Sequence, residues 1–234
     1  MIMGDISIMA RRLPGGHVHY GYSGSGGYYR NVGTRLLEWY DDPSLVEYLF
    51  GLGQLSLIGA PQSEYGGFHW IETHQCNGLP HHYGTTEREI FSQIAFIDYG
   101  YFYDSDNTWY YVVPGPFRIK MPLKLLEHHL DEQGYEFDYQ NEINGKIIAY
   151  IFNEFLQEDE EFQSLLKEQS IDAKTLCEQL LQESFPIDEF FHRYRTLFDY
   201  FDDWILVITN KECTDIIDFK IKKKGEKHIE TIEW

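Results

Sequence analysis

The sequence predicts an α+β fold, in which a mainly antiparallel sheet packs against a helical segment. Residues 1–120 hold 17 of the 20 glycines and 13 of the 18 tyrosines, a composition that favours strands and turns. Residues 121–202 carry apolar side chains at helical spacing, and strand-like alternation returns over 203–232. This order lacks the regular alternation of strands and helices found in a doubly wound sheet. We therefore predict a single domain with these three segments.

The first half contains short elements whose ends are marked by turn residues. Residues 17–23 alternate small or polar side chains with larger ones, which is typical of a half-buried strand. Asp42 and Pro43 fit the N-cap and the first residue of a short helix that ends near Phe50. We also predict strands over 55–58 and 68–73, and a β-hairpin with strands over 94–103 and 108–113.

The second half changes to a helical period. Pro122 begins a predicted helix over 123–130, because proline suits the start of a helix. Pro186 begins another, in which aromatic side chains from Phe190 to Phe201 fall on one face. The remaining predicted helices cover 146–157, 162–169 and 173–182, and the predicted strands cover 204–209, 214–223 and 228–232.

The chain is strongly acidic. Its 38 acidic and 19 basic side chains give a formal charge of −19, and residues 121–234, with 26 acids and 12 bases, hold −14 of it. The apolar content of 43% and the aromatic content of 17% are too high for an intrinsically disordered acidic chain, so we expect a folded core. An acidic surface repels nucleic acids and anionic lipids, so we predict no direct nucleic-acid partner and no membrane association.

The cysteines and the start of the chain predict a cytoplasmic protein. Cys76, Cys177 and Cys213 are an odd number at wide spacing, which fits neither a disulfide framework nor a zinc knuckle. The start of the chain lacks the basic region of a secretory signal. The longest uncharged apolar stretch, 48–63, is interrupted by glycine and proline and is too short to span a membrane. Met3 and Met9 are alternative starts, which would make the first eight residues dispensable.

A histidine pair provides the alternative of a metal site. If His17 and His19 lie on one strand, their side chains share a face and stand roughly 6.6 Å apart along the chain, close enough to reach one metal ion. The candidates for a third ligand are His69, Glu72, His74, His81 and His82. Of these, His74 completes the alternative zinc site, and Glu72 or His74 would act as a further ligand or base. Histidines at this spacing are frequent by chance, so we predict no cofactor and keep zinc as the alternative.

The glycine-rich segment 15–27 predicts a flexible turn or a bulged hairpin. It lacks the third glycine of a dinucleotide-binding fingerprint, the lysine of a Walker loop and the closing glycine of a nucleophile elbow. Tyr28, Tyr29 and Arg30 follow this segment, and we predict that they contact a partner.

Two groups of aspartates are candidate binding sites in the sequence. Asp104 and Asp106 resemble the start of a calcium loop but lack its glycine and its final glutamate, so we predict a hairpin turn. Asp199, Asp202 and Asp203 flank the aromatic stripe of the last predicted helix. Carboxylates among aromatic rings suit arginine-rich partners, so we predict that these three aspartates bind a partner.

The sequence favours a non-enzymatic acidic binding protein that neutralises or inhibits a basic protein partner, as an immunity protein, an antitoxin or a phage inhibitor does. Complementary charge speeds such an association, and tyrosine supplies contact area at low entropic cost. In this interpretation the chain has no catalytic residue. The alternative is a metal- or histidine-dependent hydrolase or phosphodiesterase with His17 and His19 at its centre, and a structural role in an assembly is a third possibility.

Overall fold

The computed structural model describes residues 6–23, 26–61, 74–75, 82–84, 90, 99–112, 119–132, 160–172, 174–175, 178 and 205–220. The strands predicted over 68–73 and 228–232 lie outside these residues, as do the helices predicted over 146–157 and after Pro186. The helix predicted over 173–182 is described at only three positions, which are helical.

Ten strands of the described residues form one mixed sheet. They are β1 (Ser7–Arg12), β2 (Val18–Ser23), β3 (Leu55–Leu57), β4 (His74–Gln75), β5 (His82–Gly84), β6 (Tyr99–Tyr103), β7 (Trp109–Val112), β8 (Ile119–Pro122), β9 (Ile205–Thr209) and β10 (Ile216–Lys220). Their order is β10-β9-β8-β7-β6-β1-β2-β3-β4, and β5 pairs with β2 beside β3.

The predicted α+β class and the mainly antiparallel sheet are confirmed. Parallel pairing occurs only between β1 and β6, β2 and β3, and β8 and β9 among the strands described. The last of these pairs brings the C-terminal strands into the same sheet as the strands of the first half. The sheet is therefore built from both ends of the sequence, as predicted.

The strand β1 lies in the middle of the sheet, and the sequence did not predict it. It pairs antiparallel with β2 and parallel with β6, and its first four residues are all buried. A strand covered on both faces shows no polar alternation, which removes the period-two signal. Ser7 and Ile8 are completely buried in β1, so the prediction that the first eight residues are dispensable is wrong for these two.

The predicted hairpin is confirmed by β6 and β7. The Asp104 amide donates to the Thr108 carbonyl oxygen (3.1 Å), and Asn107 adopts the left-handed conformation with φ 59°. Asparagine tolerates this conformation better than most residues. The register places Tyr103 opposite Trp109, and every residue of both strands is buried.

Four α-helices are described: α1 (Thr34–Trp39), α2 (Pro43–Gly51), α3 (Leu123–Glu132) and α4 (Glu160–Glu168). The predictions for the last three are confirmed. Asp42 caps α2 as expected, because its carboxylate accepts from the Ser44 amide (2.8 Å). Pro122 is the last residue of β8, and α3 begins at Leu123, as predicted.

The glycine-rich segment begins with a tight turn, continues through β2 and ends just before a helical turn. Gly15 and Gly16, with φ 87° and 86°, form the tight turn between β1 and β2. After β2, a π-helical turn over Tyr29–Gly33 leads directly into α1, and the sequence predicts neither of these two elements. No side chain caps this turn at Tyr28, so it has no N-cap signal in the sequence.

The sheet has a buried side chain layer on each face. One layer contains Ile8, Ala10, Val18, Phe102 and Tyr110, together with Val112 and Ile90. The helices α1 and α2 cover the other face, where Trp109 Nε1 donates to the Tyr40 carbonyl oxygen (2.7 Å). Neighbouring residues of β1 therefore face different surroundings, which decides the roles of its two arginines.

Candidate functional site

A cleft of about 620 Å³ opens where β1 and β6 end. Its walls are the ends of these strands, the turn after β1, the start of α2 and the turn between β6 and β7. The parallel pairing of β1 with β6 brings these segments together, although some ninety positions separate them in sequence. The residues that line it include Arg11, Arg12, Val46, Glu47, Tyr103, Asp104 and Asn107.

One carboxylate in this cleft binds two cations. Asp104 Oδ1 accepts from Arg12 Nε (2.6 Å), and Asp104 Oδ2 accepts from Lys120 Nζ. Lys120 is 5% exposed, and its ammonium lies 4.5 Å from the ring centres of both Phe102 and Tyr110. Burial alone would raise the pKa of Asp104, but the bond from Arg12 and the charge of Lys120 hold that pKa well below its usual range. The network joins β1 and β8 to the turn that follows β6.

Asp106, the next acidic residue of the turn, also stabilises the hairpin through its hydrogen bonds. Asp106 accepts from the Tyr110 hydroxyl (2.5 Å) and from the Thr108 amide (3.1 Å). Burial, and after it the bond to Asp106, raises the pKa of Tyr110 far above its usual value, so this phenol stays protonated. The predicted hairpin turn at Asp104 and Asp106 is thus confirmed, and both carboxylates stabilise it.

Arg11 faces the opposite side of the sheet from Arg12. It is in register with His19 of β2 and Tyr103 of β6, and its guanidinium carbon lies 5.4 Å from the ring centre of Phe50. Arg11 Nε is buried and has no hydrogen-bond partner among the described residues. Arg11 therefore reaches the cleft with a partly buried guanidinium whose charge is not neutralised by a described residue.

The rim of the cleft is acidic. Asp41, Asp42 and Glu47 are exposed, and Glu47 lines the cleft directly. Burial raises the pKa of Tyr103, and the charges of Asp42, Asp41 and Asp106 raise it further. The carboxylates of Asp41, Asp42 and Asp106 therefore lie close to the phenol of Tyr103, which forms part of the cleft wall. The arrangement offers exposed acceptors beside an aromatic ring.

The histidines of the alternative zinc site are in different surroundings in the residues described. His17 is exposed in the turn before β2, whereas His19 is 6% exposed inside β2 with its ring 5.1 Å from that of Phe50. His74 lies in β4, and β3 separates that strand from β2. Glu72 is outside the described residues. No group of three or more His, Cys, Asp or Glu suited to a metal ion occurs in the described ranges.

The predicted partner-binding residues lie away from the cleft or outside the described residues. Tyr29 is completely buried, so it packs in the core rather than on the surface in this structure. Tyr28 and Arg30 are half-buried, and the Arg30 guanidinium carbon lies 5.8 Å from the centre of the Tyr29 ring. The π-helical turn inserts the Tyr29 ring into the core. Asp199, Asp202 and Asp203 are not among the described residues.

Sequence reasoning missed the residues that line the cleft. The sequence analysis assigns no role to Arg11 or Arg12, and it places Tyr103 and Asp104 only in a hairpin. One available signal was the pair of adjacent arginines directly after an apolar run. On a strand, such a pair has to place one charge on each face of the sheet.

Comparisons of the chain with protein-family models, curated proteins and solved structures found no match. The fold and the cleft define an α+β protein with an acidic rim around a partly cationic floor. In the described part of the chain, every helix is too short or too polar to cross a bilayer.

Proposed function

We propose that this chain is a non-enzymatic binding protein that holds a basic segment of a protein partner in the cleft. The observation that carries the proposal is a group of exposed carboxylates beside the cleft. Asp41 and Asp42 precede α2 and raise the pKa of Tyr103 in the cleft wall, and Glu47, within α2, lines the cleft itself. Guanidinium and ammonium groups are the natural partners of such carboxylates, and an aromatic ring adds a cation–π contact.

The charge of the whole chain supports the same conclusion. A formal charge of −19 attracts a basic partner over a distance and raises the rate of encounter. Within the cleft, the network around Asp104 uses its own two cations, so they do not neutralise the exposed rim. Neither Asp41 nor Glu47 forms an ion pair with a described residue. Their charges are therefore available to a partner.

Binding of this kind depends on several weak pairs. An exposed ion pair contributes about 0.2–1 kcal/mol, so three rim carboxylates together are worth about 1.5 kcal/mol, or tenfold in affinity. The Debye length is about 8 Å at physiological salt and shorter above it, so added salt screens these pairs. The proposed binding must therefore weaken as salt rises.

The test uses a fluorescein-labelled peptide of alternating lysine and glycine as the basic probe. Its affinity is measured by fluorescence anisotropy against the full chain, at low and at high salt. The variant Asp41→Asn/Asp42→Asn/Glu47→Gln should bind about tenfold more weakly than the wild type. Asparagine is itself a good N-cap, so α2 keeps its start.

A matched control removes the same number of charges from exposed positions outside the cleft. The variant Glu160→Gln/Glu168→Gln/Glu178→Gln removes the same number of negative charges as the rim variant, and it should keep nearly the full affinity for the peptide. Equal weakening in the two triple variants would assign the binding to net charge and overturn the assignment to the cleft. The absence of salt-dependent peptide binding would overturn the proposed function itself.

A further inference from the structure

Arg11 is the cation of the cleft for which the described residues provide no hydrogen-bond acceptor. Its neighbour Arg12 is paired with Asp104, as is Lys120. Arg11 instead makes a cation–π contact with Phe50, and its buried Nε has no hydrogen-bond partner among the described residues. Glu47 lines the same cleft but forms no ion pair with it. In the described part of the chain, the cleft and its rim thus combine one cation without an ion-pair partner, Arg11, with two exposed carboxylates without one, Asp41 and Glu47.

This combination does not fit a purely cationic ligand. A buried guanidinium N–H without an acceptor is unfavourable, and a second positive charge placed beside Arg11 is repelled by it. A carboxylate matches the planar fork of the guanidinium and accepts two hydrogen bonds at once. The cation–π contact with Phe50 restricts the Arg11 side chain in advance, which lowers the entropy lost on binding.

We propose that the basic segment bound in the cleft carries one carboxylate, which pairs with Arg11 while the adjacent cationic side chains pair with the acidic rim. This inference rests on the proposed function and specifies its ligand. A free C-terminus after a lysine or arginine supplies such a carboxylate, and so does a single acidic side chain within a basic segment. One anion is sufficient, because Arg12 and Lys120 are already paired.

The experiment compares three forms of the same lysine–glycine peptide with the full chain, again by fluorescence anisotropy. The first form ends in a free carboxylate, the second in an amide, and the third in an amide with one internal glutamate near its end. For the wild type we expect the free acid, the glutamate peptide, or both, to bind about tenfold more tightly than the plain amide. The stronger of the two identifies the source of the carboxylate.

Substitution of Arg11 gives the decisive readout. Arg11→Gln should abolish the preference for a carboxylate while leaving the affinity for the amide peptide nearly unchanged or slightly higher. Arg30→Gln removes the same charge from a half-buried arginine outside the cleft and should keep the preference. If Arg11→Gln does not fold, as judged by circular dichroism, Arg11→Lys keeps the charge without the fork and should reduce the preference.

The outcomes separate this inference from the proposed function. Equal affinity of the wild type for all three peptides, with the rim variants still weakened, would overturn the role of Arg11 alone. A preference for the carboxylate that survives in both Arg11 variants would do the same. Failure of every peptide to bind would overturn the proposed function and this inference together.

Discussion

Replacing Asp104 with asparagine should destabilise the protein strongly, because two cations depend on this carboxylate. Arg12 Nε lies 2.6 Å from one of its oxygens, and Lys120 bonds to the other. The variant keeps the size of the side chain and one acceptor oxygen but loses the charge. Lys120, held over Phe102 and Tyr110, would then remain buried without a counter-ion.

The magnitude follows from the burial of the three groups. The side chains of Lys120, Asp104 and Arg12 are 6%, 17% and 25% exposed, so the pair with Lys120 is nearly dry and the pair with Arg12 is partly screened. Removing one partner of a buried ion pair costs about 3–5 kcal/mol, whereas an exposed pair is worth about 0.2–1 kcal/mol. We expect Asp104→Asn to lower the free energy of unfolding by about 3 kcal/mol.

Urea unfolding followed by tryptophan fluorescence measures this loss. The midpoint should fall while the slope of the free energy with urea stays constant, since the surface exposed on unfolding is unchanged. The matched control is Glu178→Gln, which breaks an ion pair with Lys174 whose side chains are 85% and 65% exposed. Its effect should stay within about 0.5 kcal/mol.

A double-mutant cycle tests the cause of the loss. In a Lys120→Met background the buried ammonium is gone, so Asp104→Asn should cost less than in the wild type, by a coupling energy of about 1–3 kcal/mol. A loss below about 1 kcal/mol for Asp104→Asn alone, or a coupling energy near zero, would refute the reasoning that the carboxylate neutralises a buried lysine.

Two further predictions concern acid stability and glycine positions. Because the pKa of Asp104 is lowered in the folded state, its stabilisation is complete above its unfolded pKa of about 3.9 and is lost as the pH falls further. Urea midpoints measured down to about pH 2 should therefore fall less steeply in Asp104→Asn than in the wild type, and parallel curves would contradict this. Gly33→Ala should destabilise by about 1–3 kcal/mol, because a Cβ there would lie 2.5 Å from the buried Tyr29 ring. Gly51→Ala, with open space around the new Cβ, should instead stabilise by about 0.4–1 kcal/mol, and thermal midpoints that move in the same direction for both would contradict the packing argument.

Elements with local signals were predictable from the sequence. The start of α2 is encoded by a capping aspartate followed by proline, and the hairpin by two aromatic runs around a polar tetrad. The helix α3 follows a proline and repeats its apolar residues at helical spacing. Each of these signals lies within about fifteen residues of sequence, so no knowledge of distant contacts is needed.

Elements without a local signal were missed. β1 and β8 are buried on both faces, so neither shows the alternation that identifies a half-buried strand. The helical stretch after Tyr28 begins without a side-chain cap, and glycines precede it. Even with each element known, the cleft would not follow, because it depends on the parallel pairing of β1 with a distant strand.

The two adjacent arginines of β1 show how one local pattern serves stability and the proposed binding. The geometry of the strand places Arg12 on the face of Phe102 and Lys120, where Asp104 neutralises it. It places Arg11 on the face of Phe50, where no described residue provides a hydrogen-bond acceptor for its Nε. Neutralising a cation stabilises the fold, whereas a preoriented cation without an acceptor gains its stabilisation from a ligand. Loss of the carboxylate preference without loss of stability in Arg11→Gln, together with the reverse in Asp104→Asn, is the pattern that this division of roles requires.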